Sequence, residues 1–399
     1  MSFPLRSNSS PEDRIYGHYA MATRFEVALP DLSPSAGRSV AEALFKEITR
    51  LELKCSFYRH NSELNRINQQ ALDNWVALDG EMLEMLCIAW RLWEGSGKAF
   101  DLTVGPLLKS LGLAQDGGVL DPFSNSVAWG MDHIEFDEQN RRIRFHSPGI
   151  QLDLGGIAKG YALDIAREIL EEQEVENVIV HGGTSSALAL GRSRDGAPWR
   201  IAIPDPKAQY CSRLQGIVHE PGPLAVFDLC NEALSVSSTL GKGYVTSPSL
   251  VQEMENEDQH QHQHQHQHQP ERESEQVLGS ELKAQKKQGE AEESSAWIGH
   301  VLDPATGRSA QGTVSAFAIG QSAAWMDGLT TALIPWMSRN LNTSSSQLQA
   351  MNGSPAWRGA VTFYEGDPAL NAWTIRAFGM TESDFPVLQV GRSFNLQMP

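Results

Sequence analysis

The sequence is poor in cysteine, with four in 399 residues and none in a CxxC pair. A disulfide framework or a thiolate zinc site would need closer and more regular spacing. The residues that flank the cysteines are apolar or mixed. We therefore interpret all four as free thiols in or near the core: Cys55, Cys87, Cys211 and Cys230.

Long apolar runs are also absent. No stretch approaches the roughly 18 residues that a helix needs to cross a bilayer. The N-terminal stretch MSFPLRSNSSPEDRIYGHYA has neither the apolar centre nor the cleavage signature of a signal peptide. We therefore expect a cytoplasmic protein with no membrane span.

Positive charge is scarce, since 32 Lys and Arg stand against 49 Asp and Glu, for a net charge of −17. This balance argues against nucleic acid or an anionic membrane as a general partner. Residues 251–296 hold 11 acidic and 4 basic residues, so −7 of the −17 belongs to one segment.

That segment also contains the alternating tract QHQHQHQHQHQ (259–269) and few apolar residues, which predicts a disordered insertion at 251–296. Histidine tracts can bind metal, although on a flexible chain they usually do so opportunistically. Residues 1–15 are also predicted to be disordered. The remainder, 16–250 and 297–399, is long enough for a single large domain.

Apolar residues at helical spacing predict helices at about 35–53, 80–95 and 157–173. An apolar stretch at 322–334 predicts a fourth helix, which Pro335 is expected to end.

Strands are predicted at 21–29 and at 177–181, the latter followed by a Gly-Gly turn and another strand. Further strands are predicted at WRIAIPDP, LAVFDL, EALSVSS and VSAFAIG, and a terminal hairpin at AVTFYE and WTIRAFG. Strands dominate the second half and do not alternate regularly with helices. The pattern therefore indicates an α+β fold with a mixed sheet.

The stretch LDLGGIAKG (152–160) places two glycines and a lysine at the predicted start of a helix. It fits neither the Walker A pattern nor the GxGxxG dinucleotide fingerprint. Gly155 and Gly156 would let the backbone approach a ligand, and the helix N-terminus together with Lys159 would favour an anion such as phosphate. Tight packing of a strand against the helix explains the glycine pair equally well.

The stretch MDGLTTAL (326–333) places Asp327 in an otherwise apolar helix, where an unpaired carboxylate is destabilising. Thr331 lies on the same helix face at i+4, and Thr330 flanks both residues. One carboxylate with hydroxyl oxygens suits Mg²⁺, which takes further ligands from water and substrate phosphates. Alternatively, Asp327 bonds a neighbouring strand.

Three further stretches carry polar or aromatic residues next to turns. HVLDPATG (300–307) is a turn sequence preceded by His300, which could be structural or could act as a general base. Asp101 lies in AFDLTVGPL. SFYRHNSELNRIN places Tyr58 near a polar loop, where it could cover a planar ring, and places Ser62 at a helix N-cap. For AFDLTVGPL and SFYRHNSELNRIN, the alternative is that these residues only form loops and helix caps.

Taken in order, these stretches resemble the FAD:protein FMN transferase family, the ApbE-like flavin transferases. The resemblance is carried by MATRFEV, SFYRHNSELNRIN, AFDLTVGPL, LDLGGIAKGYALD, a Gly-Gly strand turn, HVLDPATG and MDGLTTAL. It covers about residues 20–335, excluding the insertion. It implies a mixed α+β domain with a flavin site between two subdomains.

The resemblance also implies an activity, in which FAD is split with Mg²⁺, FMN is transferred to a Thr or Ser hydroxyl of an acceptor protein, and AMP is released. The implied FAD contacts are Met21, Tyr58, Ala99, Phe100, Asp101, Asp153 and Lys159. The implied metal ligands are the Gly156 carbonyl, Asp327, Thr331 and Thr330 or nearby backbone. His300, together with Asp327, is the implied catalytic pair.

The sequence departs from the family pattern at VSST (236–239), where Thr239 stands in place of a usual glycine, so we expect a strained or altered turn there. Two other functions stay open. The protein could be a flavin-binding carrier without transfer, or a Mg²⁺-dependent FAD pyrophosphatase that uses water as the acceptor.

Overall fold

A computed structural model describes residues 14–113, 128–204, 223–240, 243–246, 296–340, 357–364, 373–378, 380 and 394–397. Almost all of the predicted insertion, like Cys211, lies outside these residues. Its last residue, Ala296, begins a strand, and Ile15 of the predicted disordered N-terminus begins another. Cys55, Cys87 and Cys230 are free thiols.

Six helices are present in the described residues: α1 (Pro34–Cys55), α2 (Glu63–Gln70), α3 (Gly80–Gly95), α4 (Gly105–Ser110), α5 (Ala158–Glu172) and α6 (Ala323–Arg339). The long helices predicted from apolar spacing are all confirmed. Side chains cap the N-termini of four described helices, since Ser33, Ser62, Asp79 and Ser322 accept hydrogen bonds from the backbone of the first turns of α1, α2, α3 and α6. The predicted cap role of Ser62 is therefore confirmed.

The main sheet has nine strands in the order β1-β2-β6-β7-β10-β15-β16-β17-β18. Their bounds are β1 Ile15–Ala20, β2 Thr23–Ala28, β6 Val178–Gly182, β7 Ser186–Leu190, β10 Glu232–Ser238, β15 Thr313–Gly320, β16 Trp357–Tyr364, β17 Trp373–Phe378 and β18 Phe394–Gln397. Each neighbouring pair is antiparallel except β17 and β18. The antiparallel pairing of β16 and β17 confirms the predicted terminal hairpin.

Side chains alternate between the two faces of this sheet, and each face has its own core. Val178 and Val180 lie in the helix-side core, whereas Ile179 lies in the core on the other face. The second face packs against a hairpin of β8 (Trp199–Pro204) and β9 (Pro223–Leu229), which contributes Ile201 and Phe227. Helices on one face and strands on the other confirm the α+β class.

Three small sheets complete the described fold. β3 (Val76–Ala77), β5 (Arg142–Phe145) and β4 (Ile134–Asp137) form one. β11 (Gly243–Thr246) pairs with β12 (Ala296–Gly299), and β13 (Leu302–Asp303) pairs with β14 (Arg308–Ser309). No helix in the described part of the chain is long and apolar enough to cross a membrane.

The predicted end of α6 at Pro335 is wrong, because the helix continues to Arg339 with Pro335 inside it. Proline has no N–H to donate to the carbonyl of Thr331, so the helix loses one hydrogen bond there. Leu333, Ile334 and Met337 are each 0% exposed. Burial of these side chains, at about 1.5–3 kcal/mol each, outweighs the loss.

Candidate functional site

Asp327 lies in the first half of α6, and its side chain is only 4% exposed. Carboxylate oxygen Oδ2 accepts a hydrogen bond from the backbone N–H of Gly160 at 3.1 Å and lies 3.2 Å from Nζ of Lys159. Oδ1 accepts a hydrogen bond from the hydroxyl of Ser235 at 3.2 Å. The carboxylate is therefore paired on both oxygens, as a buried charge must be.

The glycine turn lies directly before α5 and faces this carboxylate. The Gly155 carbonyl accepts a hydrogen bond from Nζ of Lys159 at 3.3 Å, and its N–H donates to Oδ1 of Asp153 at 2.8 Å. A Cβ placed on Gly156 would lie 3.1 Å from the Phe100 ring and 3.8 Å from Cγ2 of Thr331. The turn thus lies next to α6, and Gly156 also serves close packing.

Helices α5 and α6 cap each other. Asp327 of α6 accepts the N–H of Gly160 in the first turn of α5, whose own N-cap residue, Ile157, makes no side-chain cap bond. In return, Asp164 of α5 accepts the N–H groups of Ala323 and Ala324 at 2.7 and 2.9 Å at the start of α6. Each helix N-terminus, with its partial positive charge, is thus capped by a carboxylate of the other helix.

The helices approach so closely at this crossing that no side chain fits. A Cβ on Gly160 would lie 2.2 Å from the carbonyl oxygen of Ala323.

Desolvation raises the pKa of the Asp164 carboxyl, while the bonds from Ala324, Ala323 and Ser322 act in the opposite direction.

Hydroxyl groups surround Asp327 on the sheet side. Ser235 and Ser186 lie on the paired strands β10 and β7, within 3.2 and 3.5 Å of Oδ1. The Ser237 hydroxyl lies 2.9 Å from Oγ1 of Thr330 and 3.3 Å from Oγ1 of Thr331. Sequence reasoning missed these serines. The signal was present, because Ser235 and Ser237 are two apart on a strand and share a face.

The oxygen-rich set fits Mg²⁺. A carboxylate, the Thr331 hydroxyl and backbone carbonyls of the turn are hard ligands, and Mg²⁺ usually takes one or two carboxylates and completes its shell with water and phosphate. In the described residues, no group of three or more His, Cys, Asp or Glu side chains could hold a metal ion. A softer transition-metal site is therefore not offered by this part of the chain.

The structure places the predicted nucleotide contacts in several environments. Met21 and Ala22 form the two-residue turn between β1 and β2, both with positive φ (50° and 55°). Such turns favour Asn-Gly, so the pair is strained by about 1–2 kcal/mol per residue. The Met21 N–H donates to Oε1 of Glu52 at 2.7 Å. Strain of this kind often marks functional positions.

Tyr58 is half-buried and packs edge-on against Phe57, with ring centroids 5.4 Å apart. Ala99 and Phe100 are both 2% exposed, so their side chains belong to the core. The backbone N–H groups of both donate to the Ser96 hydroxyl at 3.1 Å.

Asp101 and Asp153 are tied to their own loops. Asp101 Oδ1 accepts the N–H and hydroxyl of Thr103 at 2.7 and 2.6 Å, and Oδ2 accepts the N–H of Met131 at 3.1 Å. Desolvation raises the pKa of both carboxyl groups. The hydrogen bonds to Asp101, and the bond from the Gly155 N–H to Asp153, act in the opposite direction and lower the pKa. These hydrogen bonds of Asp101 therefore fix the shape of the loop, and any contact of Asp101 with a ligand would be additional to them.

His300 lies between β12 and β13 and is half-buried. The segment that follows it is tied to the C-terminal end of α6, where Arg339 Nε donates to Asp303 at 3.0 Å. Asp327 precedes Arg339 by 12 residues in α6, which corresponds to about 18 Å along the helix axis. A catalytic role for His300 stays a prediction.

Thr239 does not have a positive φ, so the strain expected at this position is absent. Its hydroxyl donates to the carbonyls of Val314 and Thr313 at 3.2 and 3.3 Å, which anchors the end of β10 to β15. A residue with a hydroxyl thus replaces the usual glycine without backbone cost.

Comparison with known proteins identifies relatives. The model of the ApbE family matches residues 21–266. An FAD:protein FMN transferase from Vibrio cholerae is 32% identical over 200 residues, which cover 48% of this chain and 58% of that protein. One from Haemophilus influenzae is 30% identical over 174 residues, covering 41% and 49%. The match thus spans only about half of these curated relatives.

Solved structures match over more of the chain. The ApbE protein from Thermotoga maritima has a TM-score of 0.67 at 22% identity, and the flavin transferase ApbE from Vibrio cholerae has 0.64 at 20%. Each alignment covers 94% of this chain and 99% of the other. At these identities the likeness establishes the fold.

Proposed function

The chain belongs to the ApbE family, and from this premise we propose that it is an FAD:protein FMN transferase. The proposed reaction moves FMN from FAD to a Thr or Ser hydroxyl of an acceptor protein, with Mg²⁺ and release of AMP. The supporting observation is the meeting of Asp327, Lys159 and the N-terminus of α5 beside the glycine turn.

This meeting suits the diphosphate of a dinucleotide. Helix N-termini and an ammonium group attract phosphate, and the side-chain-free turn at Gly155 and Gly156 lets phosphate oxygens approach the backbone. The Lys159 side chain is 23% exposed, so its ammonium can reach a ligand from the solvent side. The site therefore attracts an anion and holds a carboxylate for a cation at the same place.

Asp327, the Thr331 hydroxyl and the Gly156 carbonyl would hold Mg²⁺, with Thr330 or nearby backbone completing the set. A bound Mg²⁺ would neutralise charge on the diphosphate and so favour displacement at phosphorus. Ser235 and Ser186 orient the Asp327 carboxylate through hydrogen bonds to Oδ1.

In the proposed transfer, the acceptor oxygen forms a bond to the FMN-side phosphorus. The bond between that phosphorus and the bridging oxygen breaks, and AMP leaves with this oxygen. The proton of the acceptor hydroxyl goes to a base, for which His300 is the candidate. Lys159 would offset the charge of the phosphates during the exchange.

The remaining predicted contacts would bind the rest of FAD. Met21 and Tyr58 offer a thioether and an aromatic ring for the flavin or adenine rings. The loop at 99–101 and Asp153 would line the site, with Ala99 and Phe100 acting through backbone groups because their side chains are buried.

The test is direct. Purified protein is mixed with FAD, Mg²⁺ and an acceptor protein that carries a flavinylation threonine, and covalent flavin is read as in-gel fluorescence. We expect a fluorescent acceptor band and release of AMP, both lost with EDTA. AMP with free FMN and no labelled acceptor would indicate a pyrophosphatase, and bound FAD without AMP would indicate a carrier.

Asp327→Ala tests the metal assignment in the same assay. We expect activity to fall by at least about a thousandfold, because the variant removes the only carboxylate of the proposed ligand set. The matched control is Asp228→Ala, an exposed aspartate paired with Arg200, which should keep full activity. Full activity of Asp327→Ala would contradict the assignment.

A further inference from the structure

Lys159 is bound by the Asp327 carboxylate, which is proposed to hold the metal. Its Nζ lies 3.2 Å from Oδ2 and 3.5 Å from Oδ1 of Asp327, and 3.3 Å from the Gly155 carbonyl oxygen. The ammonium is thus hydrogen-bonded to the glycine turn on one side and to α6 on the other.

The other donors to the carboxylate are fixed in place. The Gly160 N–H belongs to the backbone of α5, and the Ser235 hydroxyl to a central strand of the sheet. Lys159, in contrast, is a cation on a long flexible stem. Of these groups, Lys159 is therefore the one that can leave Asp327 without disturbing the fold.

A divalent cation on Asp327 and the Lys159 ammonium in its present place are incompatible. They would use the same oxygens, and two cations a few ångströms apart repel each other strongly where little water separates them. One must leave when the other binds. A phosphate on the solvent side of the site offers the ammonium a second partner of the same charge as Asp327.

We propose that Lys159 competes with the divalent cation for Asp327, and that the diphosphate of the nucleotide relieves the competition by drawing the ammonium away. This inference rests on the proposed function, because it takes FAD as the ligand. Metal alone then binds weakly, and metal and FAD raise each other's affinity by the same factor. A lysine that only contacted phosphate would leave metal binding unchanged in the absence of FAD.

The test measures Mn²⁺ binding to the full chain without nucleotide, by the electron paramagnetic resonance signal of free Mn²⁺. Lys159→Met removes the charge and keeps the length of the side chain. We expect Mn²⁺ to bind this variant at least about tenfold more tightly than the wild type. Lys159→Arg keeps the charge and should bind Mn²⁺ within about threefold of the wild type.

Two further variants make the result specific. The double variant Lys159→Met/Asp327→Asn should lose the gain, and any Mn²⁺ held by the histidine tract is common to all variants and cancels in the comparison. Lys159→Gln keeps amide donors for Asp327 and serves if Lys159→Met folds poorly. Its Mn²⁺ affinity should lie between that of the wild type and that of Lys159→Met.

The coupling with FAD gives a second readout. Adding FAD should tighten Mn²⁺ binding by the wild type more than by Lys159→Met, since the variant has no competition to relieve. Unchanged or weaker Mn²⁺ binding by both Lys159→Met and Lys159→Gln would overturn the proposal. If the Mn²⁺ result is as expected but no acceptor is labelled, the proposed function alone fails.

Discussion

Gly160 is the residue on which the contact between α5 and α6 depends. A Cβ added to Gly160 would clash with the carbonyl group of Ala323, which belongs to the backbone and cannot move away by a rotamer change. We predict that Gly160→Ala lowers the free energy of unfolding by about 1–3 kcal/mol, despite the better helix propensity of alanine. Urea unfolding checks this.

The matched control for this substitution is Gly80→Ala at the start of α3. Among the described residues, the added Cβ would meet there only the Arg141 guanidinium, at 3.5 Å. We expect no loss of stability in this variant. A neutral Gly160→Ala would show that the two helices can separate without cost, and that their contact does not depend on Gly160.

His181 is a buried group on the face of the sheet opposite Asp327. It is 7% exposed, its Nε2 has no hydrogen-bond partner among the described residues, and desolvation lowers the pKa of the ring to about 4. The unfolded chain therefore binds a proton at His181 between about pH 6.5 and 4, while the folded protein does not. This group's stability contribution is present above pH 6.5 and is lost as the pH falls.

We predict that His181 alone lowers the free energy of unfolding by about 3 kcal/mol between pH 6.5 and pH 4. Urea unfolding of the wild type and of His181→Phe at several pH values would show a smaller acid slope in the variant, whatever its absolute stability. Equal slopes would mean that the histidine titrates normally in the folded state.

At the scale of secondary-structure elements, the exchange of aspartates between α5 and α6 sets where the site lies. We predict that Asp164→Ala costs about 1–2 kcal/mol, because Ala323 and Ala324 lose their acceptor at the start of α6. Asp164→Asn, which keeps an acceptor oxygen, should lose less.

Flavin transfer by Asp164→Ala is expected to fall as well, since α6 carries the proposed metal ligands on its next turn. Thermal unfolding and the fluorescence assay measure the two effects separately. A variant with lower stability and unchanged transfer would show that α6 keeps its position without this cap.

The sequence predicted most elements well and failed where tertiary packing decided. The bounds of α3 agree with the predicted 80–95, because apolar spacing and the Asp79 cap give the same answer. The end of α6 was missed, because local reasoning about Pro335 takes no account of the buried residues around it. The positive φ of Met21 and Ala22 gave no sequence signal.

The sequence marked Asp327 as an acid in an apolar helix, but it could not show what Asp327 contacts. Sequence order could indicate that Asp327 needs a counter-charge, and the structure supplies it from Lys159, 168 residues earlier in the chain. The serines of β7 and β10 contact Asp327 only because the two strands pair, and a pairing between distant strands cannot be derived from local patterns.

At the scale of the whole molecule, the antiparallel strands β11 and β12 are joined by the segment 247–295. Thr246 of β11 pairs with Ala296 of β12, so the ends of the segment 247–295 lie side by side. We predict that replacing this segment by Asn-Gly, which suits a two-residue hairpin turn, leaves FAD affinity within about threefold. Fluorescence titration with FAD checks this, and a large loss would mean that the segment takes part in the site.

Pro335 has a consequence for motion inside the molecule. A helix that lacks one internal hydrogen bond bends more easily at that point. On one side of this joint α6 carries Asp327, and on the other it carries Arg339, which holds Asp303 and with it the stretch after His300. The proposed metal ligands lie before Pro335, whereas His300, the candidate base, is linked through Asp303 to the part of α6 beyond it. A bend at Pro335 would therefore change the gap that an acceptor side chain must enter. Slower amide exchange at Trp336 and Met337 in Pro335→Ala would reveal that hinge.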